Sequence, residues 1–200
     1  MSPKADVTEA RRGQIIRAAR ACFSRKGYHR TTMDDIVRES GLSKGSIYWY
    51  FEGKKALFLA VLDEWLEQLD RSLSELVETS LPVGEKLRQV AQVLVTVADT
   101  SRDMVPILLD FWAETPHDPQ ITQRLAEVYA EYRRLVRFIV QMGITSGELR
   151  SLDVDQVATI LCGIYSGLLL QWILEPETVP WSAVADTLVE LLLHGLQQME

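Results

Sequence analysis

Two hundred residues with 47% hydrophobic content are enough for one large or two small cores and exclude disorder as the general state. A formal charge of −7 taken whole argues against a polyanionic partner, yet Met1–Lys55 carry 12 Lys/Arg against 6 Asp/Glu and the remaining residues carry 9 against 22. The basic end is therefore the surface suited to phosphates, and the acidic remainder is not.

Ser2–Thr8 is polar and predicts a fraying end, with Lys4 within reach of a phosphate. From Glu9 to Lys26 the residues Ile15, Ile16, Ala19, Cys22 and Phe23 recur at three- and four-residue steps, which predicts a helix with one buried face, closed by Gly27. Thr32 is placed to cap a short helix over Met33–Ser40, with Asp35 in the capping-box position and Asp34 beside it at the positive helix end. Gly41 supplies the conformation for a sharp turn, Leu42 plugs the angle, and Ser43 caps a third helix over Lys44–Phe51. Ile47 and Phe51 are its core positions, so Lys44, Ser46, Tyr48, Trp49 and Tyr50 take the other faces. Three aromatics cannot all be buried on a helix of two turns. Exposed aromatics flanked by cations suit sugar–phosphate and thymine-methyl contacts.

The stretch TTMDDIVRESGLSKGSIYWYFEGKKALF resembles the helix-turn-helix of TetR/AcrR-type bacterial transcription regulators, with the similarity densest over Glu9 to about Leu69. The resemblance implies phosphate contacts for Thr32, Tyr48 and Lys54, and a position against base edges for Lys44, Gly45, Ser46 and Trp49. Ser43 and Tyr50 complete the candidate DNA-binding set. It also implies an all-α chain of about nine helices. Residues 1–55 form an N-terminal three-helix DNA-binding domain, and residues 56–200 a helical bundle for ligand binding and dimerisation.

Lys54 opens a long helix expected to reach Glu78, with Leu57, Phe58, Val61, Leu62, Trp65, Leu69, Leu73 and Leu76 on one stripe. Pro82 and Gly84 are read as a break before a helix at Glu85–Ala98, followed by a short apolar segment at Met104–Glu114. Asp118 and Pro119 open a helix to Met142, which Gly143 ends, and Ile144–Asp153 is a loop. Val154–Leu174 then runs apolar nearly all round. Its length just reaches that of a membrane span, but Thr159, Ser166 and Gln171 and the absence of close flanking cations favour a buried helix. A last helix follows over Trp181–Gln198. Two apolar C-terminal helices predict a four-helix homodimer interface through Val157, Leu161, Gly163, Ile164, Gly167, Leu168, Val184, Leu188, Leu191 and Leu192.

The aromatics of the middle helices, Trp65, Phe111, Trp112, Tyr129, Tyr132, Tyr165 and Trp172, together with Leu69, are the candidate lining of a site for a small hydrophobic or aromatic effector. With Asp110 or Glu114 in the wall, such a site would suit cationic aromatic compounds. His29, His117 and His194 are scattered and lack metal-ligand spacing, and nucleophile and phosphate-loop motifs are missing, so neither an enzyme nor a metal or cofactor is expected. Cys22 and Cys162 read as small buried thiols. With no export signal in the sequence, a cytoplasmic chain is expected. The expected function is a repressor released from palindromic double-stranded operator DNA by a small molecule. A ligand-responsive activator, or a ligand-binding adaptor without repression, is the alternative.

Overall fold

The computed structural model describes residues 3–77 and 79–196. Among these there are nine α-helices and no strand: α1 (Pro3–Lys26), α2 (Met33–Ser40), α3 (Lys44–Tyr50), α4 (Lys54–Val77), α5 (Val83–Thr100), α6 (Val105–Glu114), α7 (Pro119–Ser146), α8 (Val154–Leu174) and α9 (Trp181–Leu196). A 3-10 turn at Arg102–Met104 leads into α6. The expected helix ends at Glu78 and Gln198 lie outside the described residues, as do Ser2 and the Lys4 side chain. The all-α, nine-helix expectation holds.

Four boundaries differ from those expected, each for a physical reason. α1 begins at Pro3 rather than Glu9, because a proline at the first helical position loses no amide bond and presets the backbone. α3 ends at Tyr50, with Phe51 as its extended C-cap. Gly84 lies inside α5 instead of breaking the chain before it; a Cβ there would stand 3.0 Å from Leu193 Cδ1 of α9, so the glycine is a close-packing position. Gly143 likewise lies inside α7, where a Cβ would stand 2.7 Å from Leu149 Cδ1. α7 ends instead at Gly147, which takes the left-handed conformation with φ of 80°.

The chain forms two compact units: Met1–Gln68 with Ser101–Thr122, and Leu69–Thr100 with Gln123–Glu200. α4 begins in the first and ends in the second. The first unit is larger than the three expected helices, because α6 packs on α1, with Ile107 and Phe111 buried and Phe111 against Phe58. Phe58 is stacked between Tyr28, at 4.1 Å between ring centroids, and Phe111, at 3.9 Å and nearly parallel. Phe23 meets the edge of Phe58 at 5.3 Å.

The second unit is centred on Val83, Leu87, Ile139, Val140, Leu149, Val189 and Leu196. α5 and α9 are joined by polar contacts as well, from Gln92 Nε2 to Asp186 at 2.7 Å and from Ser182 Oγ to Gln92 Oε1 at 2.9 Å. The loop before α8 is tied to the end of α9 by Arg150, whose amide and Nε donate to the carbonyls of Leu196 and Gly195. Buried Lys86 serves α4: its ammonium donates to the carbonyls of Leu76 and Thr79, groups that a helix C-terminus leaves without intrahelical partners. Asp153 caps α8 as expected, accepting from the amides of Asp155 and Gln156. Cys22 and Cys162 are buried free thiols, also as expected.

Removal of the ring that completes the Tyr28–Phe58–Phe111 stack, by Phe111→Ala, is expected to destabilise the first unit by about 3–5 kcal/mol, read as a lowered urea midpoint. A change below about 1 kcal/mol would show that α6 is not integral to that core.

Candidate nucleic-acid interface

The geometry of α2, its turn and α3 follows from side chains that terminate helices. Thr32 Oγ1 accepts from the amide of Asp35 at 3.1 Å, and Asp35 Oδ2 accepts from the amide of Thr32 at 3.0 Å, so each side chain satisfies the other's free backbone donor. The other oxygen of Asp35 receives Lys26 Nζ and Arg38 Nη2, both at 2.6 Å. The hydrogen bond from Lys26, followed by those from Thr32, holds this carboxyl far below the usual carboxylate range. Neighbouring Thr31 is buried and donates to the carbonyls of Cys22 and Gly27, which anchors the start of α2 on the end of α1. Gly27 takes φ of 76° to close α1.

Gly41, with φ of 68°, ends α2 and turns the chain toward α3. Ser43 then accepts from the amide of Ser46 at 3.1 Å as the α3 cap. Ile47 and Phe51 are buried, as their spacing requires, and this orients the rest of α3 outward. Ser43, Lys44, Gly45, Ser46, Tyr48 and Trp49 are all exposed, Trp49 at 72%, while Tyr50 is half-buried with its ring edge-on to Trp49 at 4.5 Å. Thr32 is exposed at the start of α2. Of the nine candidate DNA-binding residues, seven are thus exposed on the helix-turn-helix and Tyr50 is half-buried there.

Lys54 is the exception. Its ammonium points back to the Tyr28 carbonyl at 2.7 Å and the His29 carbonyl at 3.2 Å, and lies 4.4 Å from the centre of the Tyr28 ring. Desolvation in this position lowers its proton affinity.

The acids around α6 have partners that sequence reasoning did not identify. Asp103 takes both ends of the Arg20 guanidinium at 2.6 and 2.7 Å. Asp110 accepts the Tyr28 amide at 2.7 Å, Glu114 meets His29 Nε2 at 2.6 Å, and Asp118 meets Lys55 Nζ at 3.0 Å. The one available signal was the seven- and four-residue spacing of these acids. The acidic wall expected for cationic aromatic ligands is therefore not formed by Asp110 and Glu114, which hold the Tyr28–His29 turn instead. Phe111, offered as a ligand contact, packs in the first unit's core on Phe58.

The other candidate ligand residues fall in both units. Trp65 and Trp112 belong to the first, and the Trp65 indole nitrogen is buried without a hydrogen-bond partner. Leu69, Tyr129, Tyr132, Tyr165 and Trp172 belong to the second. There Tyr129 OH lies 3.0 Å from Ser166 Oγ, and the Tyr132 hydroxyl is buried without a partner. Burial pushes the phenols of Tyr132 and Tyr165 well above their ordinary range, so both remain neutral donors. Among the described residues no cluster of three or more His, Cys, Asp or Glu is arranged to hold a metal ion.

Of the residues expected at a dimer interface, Val157 and Leu192 pack against the second unit's own core. Ile164, Leu168, Val184, Leu188 and Leu191 line a shallow apolar groove between α8 and α9. α8 buries Ala158, Cys162 and Trp172 within the chain and leaves apolar residues in water, Ile160 58% exposed and Leu174 79%, with Leu191 on α9 at 69%. Side chains added at Gly163 or Gly167 would meet no neighbour within 4 Å. Among the described residues, α8 is the one helix long and apolar enough to cross a membrane.

Comparison with known proteins places this geometry in a family. Residues 15–61 match the family described as bacterial regulatory proteins, tetR family, and residues 82–197 match the BetI-type transcriptional repressor C-terminal family. The HTH-type transcriptional regulator YfiR of Bacillus subtilis is 32% identical over 166 residues, covering 80% of this chain and 78% of that protein. A TetR transcription regulator from Haloarcula marismortui superposes with a TM-score of 0.84 at 22% identity, over 95% of this chain and all of that one. The regulator FadR of Bacillus subtilis, solved with stearoyl-CoA, superposes at 0.80 and 22% identity, over 92% and 98%.

Because the folded-state carboxyl of Asp35 is depressed, its contribution is complete above its unfolded pKa of about 3.9 and is lost as pH falls through the lower folded value. Asp35→Asn is therefore expected to lower the urea midpoint at pH 7, with the gap to the unmodified protein closing below about pH 4. A gap of constant size from pH 7 to pH 3 would show that the carboxylate charge plays no part in the cap.

Proposed function

The chain belongs to the TetR family of bacterial regulatory proteins, and from that premise we propose that it is a homodimeric repressor which an apolar effector releases from a palindromic operator. It is a DNA-binding transcriptional regulator. The observation that carries the rest is the helix-turn-helix surface, where two capped helices and a left-handed glycine turn leave one short helix exposed with its aromatics outward. In this reading residues 1–55 supply the DNA-binding domain and residues 56–200 the effector and dimer functions, although α6 is built into the core of the head. Thr32, Ser43 and Tyr48 take backbone phosphates, which fix register, and the outward face of α3 meets base edges in the major groove. Two such heads then lie roughly one DNA turn apart, about 34–36 Å.

Lys54 is reassigned within this proposal. Its ammonium is occupied by the Tyr28 and His29 carbonyls, so it holds the turn between α1 and α2 and contributes to DNA binding only through that placement.

The second copy covers the apolar groove and the glycine face of α8. A four-helix arrangement, two helices from each subunit, removes Ile160, Leu174 and Leu191 from water. The effector binds in the second unit near Tyr129, Tyr132 and Tyr165, where an unpartnered buried hydroxyl offers a hydrogen bond to an acceptor on an otherwise apolar molecule. The FadR chain of the same fold was solved with stearoyl-CoA, an apolar chain carrying acceptors, which is consistent with that class. Release follows from population shift: an effector that binds the DNA-incompetent arrangement more tightly empties the operator by its differential affinity.

A gel shift on DNA flanking its own gene is expected to show sequence-selective retardation that such an effector relieves; retardation equal to random DNA would reject the regulator reading. Lys54→Ala is expected to leave the salt slope of binding unchanged, whereas a drop of about one unit would return Lys54 to the phosphate contacts. Gly163→Leu meets no obstacle within one chain, so its effect reads the dimer alone. It is expected to yield monomer in sedimentation, and an undiminished dimer would move the interface elsewhere.

A further inference from the structure

α3 presents three columns of residues one helical turn apart: Lys44 with Tyr48, Gly45 with Trp49, and Ser46 with Tyr50. The first residues of the flanking columns, Lys44 and Ser46, already have hydrogen-bond partners within the chain. Lys44 Nζ is 2.8 Å from Asp34, whose carboxylate holds the ammonium above its ordinary pKa. Ser46 Oγ is 2.8 Å from Ser43 Oγ, and the Ser46 amide is spent on the same hydroxyl. The middle column is different. Gly45 leaves bare backbone, with open space where a side chain would stand, and one turn on the Trp49 indole is the most exposed large ring of the helix. The edge-on contact of Tyr50 fixes its orientation.

An exposed, braced apolar ring beside a strip without side chains fits an apolar feature on a base edge. The major groove offers one such feature, the C5-methyl group of thymine. Resting on the DNA-binding role proposed above, we infer that Trp49 is the specificity-determining residue of α3 and that it selects thymine by contact with that methyl group. Gly45 permits the approach. Lys44 and Ser46 contribute less to sequence choice than their position suggests, because their polar atoms serve Asp34 and Ser43.

The test uses the full-length protein and a duplex selected by that protein from a randomised pool. Each thymine of the selected duplex is replaced in turn by deoxyuridine, which removes the methyl group and leaves base pairing intact. Loss of one apolar carbon contact corresponds to roughly a fourfold weakening. The inference expects such a loss at one or two positions in each half-site, and its disappearance at those positions in Trp49→Ala. Trp49 is a surface residue, and the deoxyuridine scan on the unmodified protein stands independently of the variant. A flat scan, a selected half-site without thymine, or an equal penalty in Trp49→Ala would overturn the inference while leaving the regulator reading intact. A pool in which no sequence is enriched would overturn the regulator reading, and the inference with it.

Discussion

One phenylalanine is held between two other rings, and the DNA-binding unit is arranged around that stack. Phe58, from α4, lies between Tyr28, from the turn after α1, and Phe111, from α6. The same turn is fastened through its backbone: the Tyr28 amide goes to Asp110 and its carbonyl to Lys54. Three sequence-distant segments are thus fixed to one another before the helix-turn-helix is considered. Gly27 must take a positive φ for the chain to reach this turn, and Thr31, four residues on, starts α2 from the end of α1. The placement of α3 inherits the rigidity of the aromatic stack.

What was legible in the sequence was what is decided over a few residues. Thr32 with Asp35, Gly41, Ser43 and Asp153 were all readable because each closes a helix end through backbone groups two to four positions away. Ile47 and Phe51 were readable from helical spacing. Gly84 and Gly143 were misread as punctuation, since a glycine that ends a helix and one that admits a neighbouring side chain look the same until Leu193 or Leu149 is in place. The contacts of Lys54 were not legible for a related reason. A lysine at a helix start near a basic surface suggests a phosphate contact, but the competing acceptors, two carbonyls more than 20 residues earlier, are invisible in the local pattern. The contacts of the acids around α6 were hidden in the same way, because their partners Arg20, Tyr28, His29 and Lys55 precede them by 63 to 85 residues.

Polar and apolar chemistry are divided between the two ends of the chain. In the first unit, ion pairs and caps set the position of a small surface, and the stabilisation of that surface is partly electrostatic. The second unit is centred on aliphatic packing, and its polar groups join α5 to α9, as Gln92 does, close helix ends, as Lys86 does, or sit buried among aromatics, as the Tyr132 hydroxyl does. Salt and pH act chiefly on the first kind of interaction and an apolar molecule on the second. α4, with its start in one unit and its end in the other, is common to both sets of forces, as is α7, whose residues 119–122 belong to the first unit and the rest to the second.

The open apolar face of α8 carries a thermodynamic consequence. A helix with Ile160, Leu170 and Leu174 in water is incompletely stabilised by its own chain. Where a second copy covers that face, folding and association become one equilibrium, and apparent stability rises with protein concentration by mass action. In such a pair the number of molecules in the cell would set the fraction folded as well as the fraction paired, and dilution would act as a denaturant does.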